Sequence, residues 1–245
     1  MNNNKKITAS ILIIGNEILS GKTQDTNLKY LGLELATLGI NLVEVRVLPD
    51  EEDIIISTLN FCRSKYNYVF TTGGIGPTHD DITAKCVAKA FNRNLLVNEE
   101  AVKRLMSNPN KNYELNEARM KMATLPSGAN LIDNPVSYAP GFNLDNVYVL
   151  AGIPSVAKAM FETFKHKLET NDPIESDSID IYLREGDIAE PLSIIAKKYS
   201  YVDIGSYPFS KDGKYGATIV VRGTDKELIK KVIDEVFNIM DKITS

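Results

Sequence analysis

Apolar positions along this chain switch between two rhythms, and the switches divide it into elements. Residues 7–14 form a nearly continuous β-branched and apolar run closed by Gly15, the pattern of a strand buried on both faces of a parallel sheet. Leu28, Leu31, Leu35 and Leu38 then recur at helical spacing, and Gly39 stands where a helix-ending glycine belongs. The pattern predicts a strand over 41–48, a helix opened by Pro49 and Asp50 and running to about 66, and a third strand over 68–72. A helix follows from near Asp80 and Asp81, its apolar face carrying Ile82, Cys86, Val87, Ala90 and Phe91. Residues 98–121 read as two helices parted by the turn-prone Asn108-Pro109-Asn110, 147–150 as a strand, and 155–168 as a helix.

Strands alternating with helices at this spacing imply right-handed βαβ crossovers, hence an α/β fold: a three-layer αβα sandwich around a mostly parallel sheet. A polar, turn-rich stretch over 170–177 marks a boundary, so the expected domains are 1–172 and 173–245. In the second, strands are predicted over 178–183, 202–205 and 217–222, with a helix over 188–199 and a strongly periodic closing helix over 225–243 capped by Thr224. This small α+β unit is expected to pack against the first, because so short a chain buries little core of its own.

Composition narrows the function classes. The chain has 245 residues, 43% hydrophobic and 24% charged, with a formal net charge of −4, and so lacks the basic surplus that grips a phosphodiester backbone. No nucleic-acid partner is expected. Cys62 and Cys86 each sit in a helical stretch and are expected as small buried hydrophobes, which points to a reducing compartment. The polar, basic start followed by an apolar run no longer than a strand does not make a signal peptide, and no stretch approaches the roughly 20 apolar residues that cross a bilayer. A cytoplasmic protein without a membrane partner is expected.

Candidate chemistry concentrates where strands end. After the third strand comes Thr71-Thr72-Gly73-Gly74-Ile75-Gly76-Pro77-Thr78-His79-Asp80-Asp81. Its glycines let successive backbone N–H groups turn toward one point, and the following helix N-terminus adds positive potential, which together make a cradle for anionic oxygens. In an open α/β sheet ligands lie at this carboxyl edge. Asp80 or Asp81 is either an ordinary helix cap or, as one of two adjacent acids beside a phosphate, a ligand for a divalent metal; Mg²⁺ takes one or two carboxylates plus phosphate oxygens and water. Glu17 and Asp25, after the first strand, open at the same edge and either reach that ligand or are, respectively, solvated and a helix cap. Residues 15–23 imitate a P-loop, but five residues separate its glycines where four are needed, and no Walker-B aspartate follows the strand ending at Phe70. His166 has no ligand partners in sequence, and His79, inside the glycine loop, is within reach of a phosphate there.

Taken together, Gly15-Asn16-Glu17-Ile18-Leu19, Asp25-Thr26-Asn27, Gly73–Asp81 and Gly152-Ile153-Pro154 resemble the MoaB/Mog-like molybdopterin-binding family over about residues 7–168. Gly205-Ser206-Tyr207-Pro208 is similar to the tail of the version found in FAD synthases, and Asp80 is shared with the CinA-like branch. The resemblance implies a three-layer αβα fold, with ligand contacts at Gly15, Asn16, Asp25, Asn27, Thr72, Gly73, Gly74, Gly76, Thr78, Gly152 and Pro154. It further implies a metal-linked role for Asp81 and a homo-oligomer, dimer or trimer; with the layout of the acids, Glu17, Asp80 and Asp81 are the expected catalytic, metal-holding residues, Asp25 joining them in handling a divalent metal (Mg²⁺, Mn²⁺ or Co²⁺) and water. The implied activity is metal-dependent hydrolysis of the pyrophosphate of ADP-ribose or FAD. The alternatives are a molybdenum-cofactor step with molybdopterin as ligand, or non-catalytic binding of a pterin or nucleotide. Ala151 departs from the family's proline. The chain runs to Ser245 without the amidohydrolase of CinA proteins or the adenylyltransferase half of FAD synthase, so neither activity is implied.

Overall fold

The apolar run near the start is strand β1 (Thr8–Ile14), and every residue from Ala9 to Ile14 is buried. In this computed structural model, which describes residues 6–110, 114–211 and 213–244, the chain divides into two units at Asn171/Asp172, with Ala36–Gly39 grouped with the second. The first unit continues through α1 (Asn16–Leu19), α2 (Asn27–Thr37), β2 (Asn41–Leu48), α3 (Glu52–Lys65), β3 (Tyr68–Thr72) and α4 (Thr83–Ala90). It is completed by β4 (Leu95–Val97), α5 (Glu99–Met106), α6 (Glu117–Lys121), β5 (Thr124–Pro126), β6 (Asn130–Ile132), β7 (Gly141–Leu144), β8 (Val147–Leu150) and α7 (Pro154–Phe164), which ends in a 3-10 turn at Lys165–Lys167.

The main sheet has the order β2-β1-β3-β8-β7-β6. Its first four strands are parallel, whereas β7 runs antiparallel to β8 and β6 antiparallel to β7. Alternation along the strands feeds two cores. Leu12, Ile14, Val69, Val147 and Val149 pack with Ile55, Leu59 and Cys62 of α3, Cys86 and Val87 of α4, and Leu105 of α5. On the other face Phe70 meets Phe161 of α7 edge-on at 5.8 Å and Tyr148 stacks on Phe164 at 4.9 Å, while Tyr30 of α2 meets Phe161 at 6.1 Å. Such ring pairs add about 0.5–1.5 kcal/mol each beyond the area they bury. The result is helix, sheet, helix, with the carboxyl ends of β1, β2, β3 and β8 at one edge.

The short strands β4–β7 carry too few residues to announce themselves in sequence; β6 and β7 give the main sheet its antiparallel flank, and β4 and β5 pair antiparallel in a two-stranded sheet of their own. Two helix starts settle which acids are caps. Helix α4 begins at Thr83, after the Asp80-Asp81 turn, so neither acid caps it. Asp25 Oδ1 accepts from the Leu28 N–H at 2.8 Å, which makes Asp25 the side-chain cap at the start of α2.

The second unit is β9 (Glu175–Ile181), α8 (Glu185–Lys198), β10 (Asp203–Lys211), β11 (Lys214–Gly223) and α9 (Lys226–Thr244). Its antiparallel sheet has the order β10-β11-β9. Ala217, Ile219 and Val221 of β11 are buried with Ile188 and Ile195 of α8 and Val232, Val236 and Met240 of α9. Strand β10 is longer than the expected 202–205 because Pro208 lies on an edge strand, where its missing N–H leaves no ladder bond unmade. Within Gly205–Pro208 the Tyr207 ring lies over Gly205, where a Cβ would come within 3.0 Å of it. The cap of α9 is Asp225, whose Oδ1 accepts from Leu228 N at 3.0 Å, rather than Thr224. Among the described residues no helix is long and apolar enough to cross a membrane.

Candidate functional site

Four loops leave the carboxyl edge of the main sheet, and backbone contacts tie them together. Gly73 follows β3 with φ +100°, and a Cβ there would lie 2.1 Å from the Ile14 carbonyl oxygen. Only glycine lets the chain turn so close to β1. Gly74 has φ +69°, and the space its Cβ would need is taken by Thr83 Oγ1 at 2.1 Å. That buried hydroxyl donates to Gly73 O at 3.0 Å, while Thr83 N donates to Gly74 O at 3.0 Å, so the start of α4 clamps the turn. Gly152, after β8, passes so near that a Cβ on it would sit 3.3 Å from the Gly73 Cα. The buried Asn27 donates its amide to Gly152 O at 2.8 Å, which fastens α2 to the same point.

This framework uses the carbonyls of Gly73 and Gly74. Gly73 N donates to Leu150 O, but among the described residues no protein acceptor takes the N–H of Gly74, Ile75 or Gly76. Three consecutive donors of this kind are what an anion requires. Thr72, at the root of the loop, is 1% exposed and its hydroxyl has no protein partner.

Acids gather around these donors. Asp81 Oδ2 accepts from Thr78 N at 2.8 Å, and the single Thr78 hydroxyl proton is shared between Asp81 Oδ2 and Asp80 Oδ1, each 2.6 Å from Oγ1. Thr78 therefore orients both carboxylates, and its hydroxyl is the main reason Asp80 is held below the usual carboxylate range. Lys121 of α6 donates its ammonium to Thr78 O beside them. The Glu17 carboxylate folds back over Gly15, where a Cβ would meet both of its oxygens at 2.5 Å. Sequence reasoning missed Asp50. It sits just beyond β2 and accepts from Asn16 N at 3.0 Å, which pins the loops after β1 and β2 together. Burial, and then the charges of Glu17, Asp80 and Asp81, push its carboxyl up. Its place at the end of a parallel strand was the available signal, and the adjoining Pro49 made it read as a helix opening.

Not every expected residue faces this centre. One oxygen of Asp25 is engaged as the α2 cap, Asn27 ties loops together from within the core, and Pro154 is the first residue of α7, where its fixed φ starts the helix. The His79 side chain is 99% exposed, with Nδ1 4.0 Å from Asp80 Oδ1. Among the described residues no three or more of His, Cys, Asp and Glu are grouped to hold a metal ion by themselves. Asp80 and Asp81, side by side on one turn, are the carboxylates of this loop that could take part in holding a cation.

A cavity of about 300 Å³ opens beside the glycine loop, bounded by Gly74, Ile75, Gly76 and Asp81 on one side and by α6 and β5 on another.

Comparison with known proteins accords with this geometry. Residues 10–170 match the family described as "Probable molybdopterin binding domain", and residues 173–244 match "FAD synthase, middle domain". A protein of Archaeoglobus fulgidus is 34% identical over 226 residues, covering 92% of this chain and 94% of its own length. A CinA-like protein of Fervidobacterium nodosum is 34% identical over 236 residues, 94% of this chain but 57% of that protein, which is therefore much longer. The crystal structure of CinA from Thermoplasma acidophilum, titled as of unknown function, superposes with a TM-score of 0.61 at 30% identity, covering 66% of this chain and 98% of that one. With two-thirds of its length on the first model and relatives of this identity along nearly all of it, the chain belongs to the MoaB/Mog-like molybdopterin-binding domain family, in its CinA-related form joined to an FAD-synthase middle domain.

Proposed function

We propose that this protein is a divalent-metal-dependent pyrophosphatase that cleaves ADP-ribose or FAD between its two phosphorus atoms. The observation that carries the reading is the row of Gly74, Ile75 and Gly76 amides without protein acceptors, set beside two carboxylates oriented by one threonine. The amides hold phosphate oxygens and place the bridging oxygen near the acids. Asp80 and Asp81, with Glu17 nearby, would hold the metal; when bound, a divalent cation neutralises phosphate charge and lowers the pKa of a coordinated water. Asp50, pushed up by burial and by its acidic neighbours, is the carboxylate whose surroundings favour taking a proton from the attacking water. Addition of water across the P–O–P bridge would yield AMP and ribose 5-phosphate from ADP-ribose, or AMP and FMN from FAD.

Purified protein incubated with either compound and Mg²⁺, Mn²⁺ or Co²⁺ should release AMP, and a chelator should stop it. Asp81→Asn keeps an acceptor for Thr78 N–H and should lower AMP release at least about tenfold, a loss of about 1.4 kcal/mol of transition-state stabilisation. Unchanged release in that variant removes Asp81 from the mechanism. The description of the matching family favours a second reading, in which the same amides hold the phosphate of molybdopterin. Co-purification of a pterin, with no turnover of either nucleotide under any metal, would select it.

A further inference from the structure

Strand β2 ends the main sheet, so among the described residues one of its edges has no neighbouring strand. Leu48 O accepts from Gly15 N at 3.1 Å, which turns the peptide groups of Leu48, and by alternation those of Arg46 and Glu44, toward β1. The N–H and C=O groups of Val45 and Val47 therefore point out along the open edge. Val43, which the register against β1 skips, has no partner there either. These same three valines are the exposed residues of the strand.

Glu44 and Arg46 lie between them. Arg46 Nε donates to Glu44 Oε1 at 2.7 Å, and the guanidinium sits over the Phe61 ring of α3 at 4.8 Å. Charges on an edge strand ordinarily keep other strands away. Here their order admits one strand in particular. The run Val43-Glu44-Val45-Arg46-Val47, flanked by Leu42 and Leu48, reads alike in both directions except that an acid answers a base. When an identical strand lies antiparallel with Val45 opposite Val45, Val43 meets Val47 and Glu44 meets Arg46 on both sides of the axis. Each charge then has an opposite one beside it in its own strand and another across the pair. Slipping the pairing by two residues sets Glu44 against Glu44, or Arg46 against Arg46, so the charges also select the register.

We propose that the open edge of β2 is where a second copy of this chain docks, antiparallel and two-fold about Val45, so that the two main sheets become one. Val45 and its counterpart exchange both backbone bonds, and the Val43–Val47 pairs extend the ladder on either side. Pairing uses up the edge, so the assembly closes at two copies. Because the two β2 strands run in opposite directions, the carboxyl edges of the joined sheets lie at opposite ends. Each copy keeps its own glycine loop and acids, and the pairing is independent of what those loops bind.

Sedimentation velocity on the full chain, from about 1 to about 100 μM, should show a reversible monomer–dimer equilibrium. Val45→Lys sets two ammonium groups face to face at the axis and should raise the dimer dissociation constant at least about tenfold. Glu44→Arg alone puts like charges opposite Arg46, and Arg46→Glu alone puts them opposite Glu44, so each should weaken the dimer by a similar factor. Mixed one to one, these two variants should pair with each other and recover affinity to within about tenfold of the wild type, because each supplies the charge that the other lacks. Loss of folding does not produce such a rescue, so mixing decides the matter if Val45→Lys loses its circular-dichroism spectrum. A wild type that stays monomeric throughout, or that assembles beyond two copies, overturns the proposal. So does a folded Val45→Lys protein that dimerises as tightly as the wild type, or a mixture of the two folded charge variants that stays dissociated.

Discussion

Replacing Gly73 with alanine tests whether the site is built on main chain rather than side chains. The new Cβ would lie 2.1 Å from the Ile14 carbonyl oxygen, well inside the 3.0 Å that real Cβ contacts essentially never breach. Ile14 closes β1, which is flanked by strands on both sides, so that oxygen cannot step aside cheaply. Holding alanine at φ +100° costs about 1–2 kcal/mol. Forcing atoms into a packed space adds about 1–3 kcal/mol. The total, about 2–5 kcal/mol, corresponds to a fall of about 10 °C in melting temperature at the centre of the range. Gly128→Ala is the control, because Gly128 has φ +83° and nothing within 4 Å of its would-be Cβ. It should pay the conformational cost alone and melt only about 3–5 °C lower. Differential scanning calorimetry on both variants separates the two contributions, following the transition of the unit that contains both glycines. If Gly73→Ala melts within about 2 °C of Gly128→Ala, the close approach to β1 is not what demands glycine, and the account of the loop is refuted.

Other expectations are as direct. Asn27→Leu removes the amide that bonds Gly152 O at 2.8 Å, and because Gly152 is exposed, water can replace the donor, so urea unfolding should show a loss of about 0.5–1.5 kcal/mol; a change under about 0.3 kcal/mol would mean the tie between α2 and the Gly152 loop is immaterial. Asp50 has a carboxyl raised by burial and by Glu17, Asp80 and Asp81, so its ionised form costs the folded state stability at neutral pH, and that cost disappears as pH falls through the raised value. Asp50→Asn should therefore melt higher than wild type at neutral pH, by about 1 kcal/mol or less after solvent screening, with the gap closing toward about pH 4; a lower melting temperature at neutral pH contradicts this. Cys86 is buried and its thiol is pushed up to about 11, so alkylation at about pH 8 should be slow in the native protein and fast once it unfolds; rapid native labelling would place the thiol elsewhere.

The elements that the sequence displayed best are those whose burial is one-sided or complete over many residues. β1 is apolar throughout because the sheet covers it on both faces, and α2, α3 and α9 show their spacing because each buries one stripe. The strands β4 to β7, three or four residues each, lack the length to display a period, and β10 runs past the expected 202–205 through Pro208, which an edge position tolerates. At the site, the glycines were legible because positive φ and close approach leave no substitute. The acids were legible as neighbours but not as partners of Thr78, since that turn depends on a hydroxyl three residues away reaching back. Asp50 was hidden because its role comes from strand order: β2 lies next to β1, which sequence spacing does not state.

On the proposed reading the recognition surface is made of amides and has no side chains to exchange. Selection, or a protein engineer, cannot adjust it by degrees, because each glycine on it is held by a neighbour that an added methyl would strike. Drift in ligand preference would then come from the periphery, the carboxylates at 17, 50, 80 and 81. Retargeting the scaffold is then a matter of rewriting those carboxylates while leaving the turn after β3 as it stands.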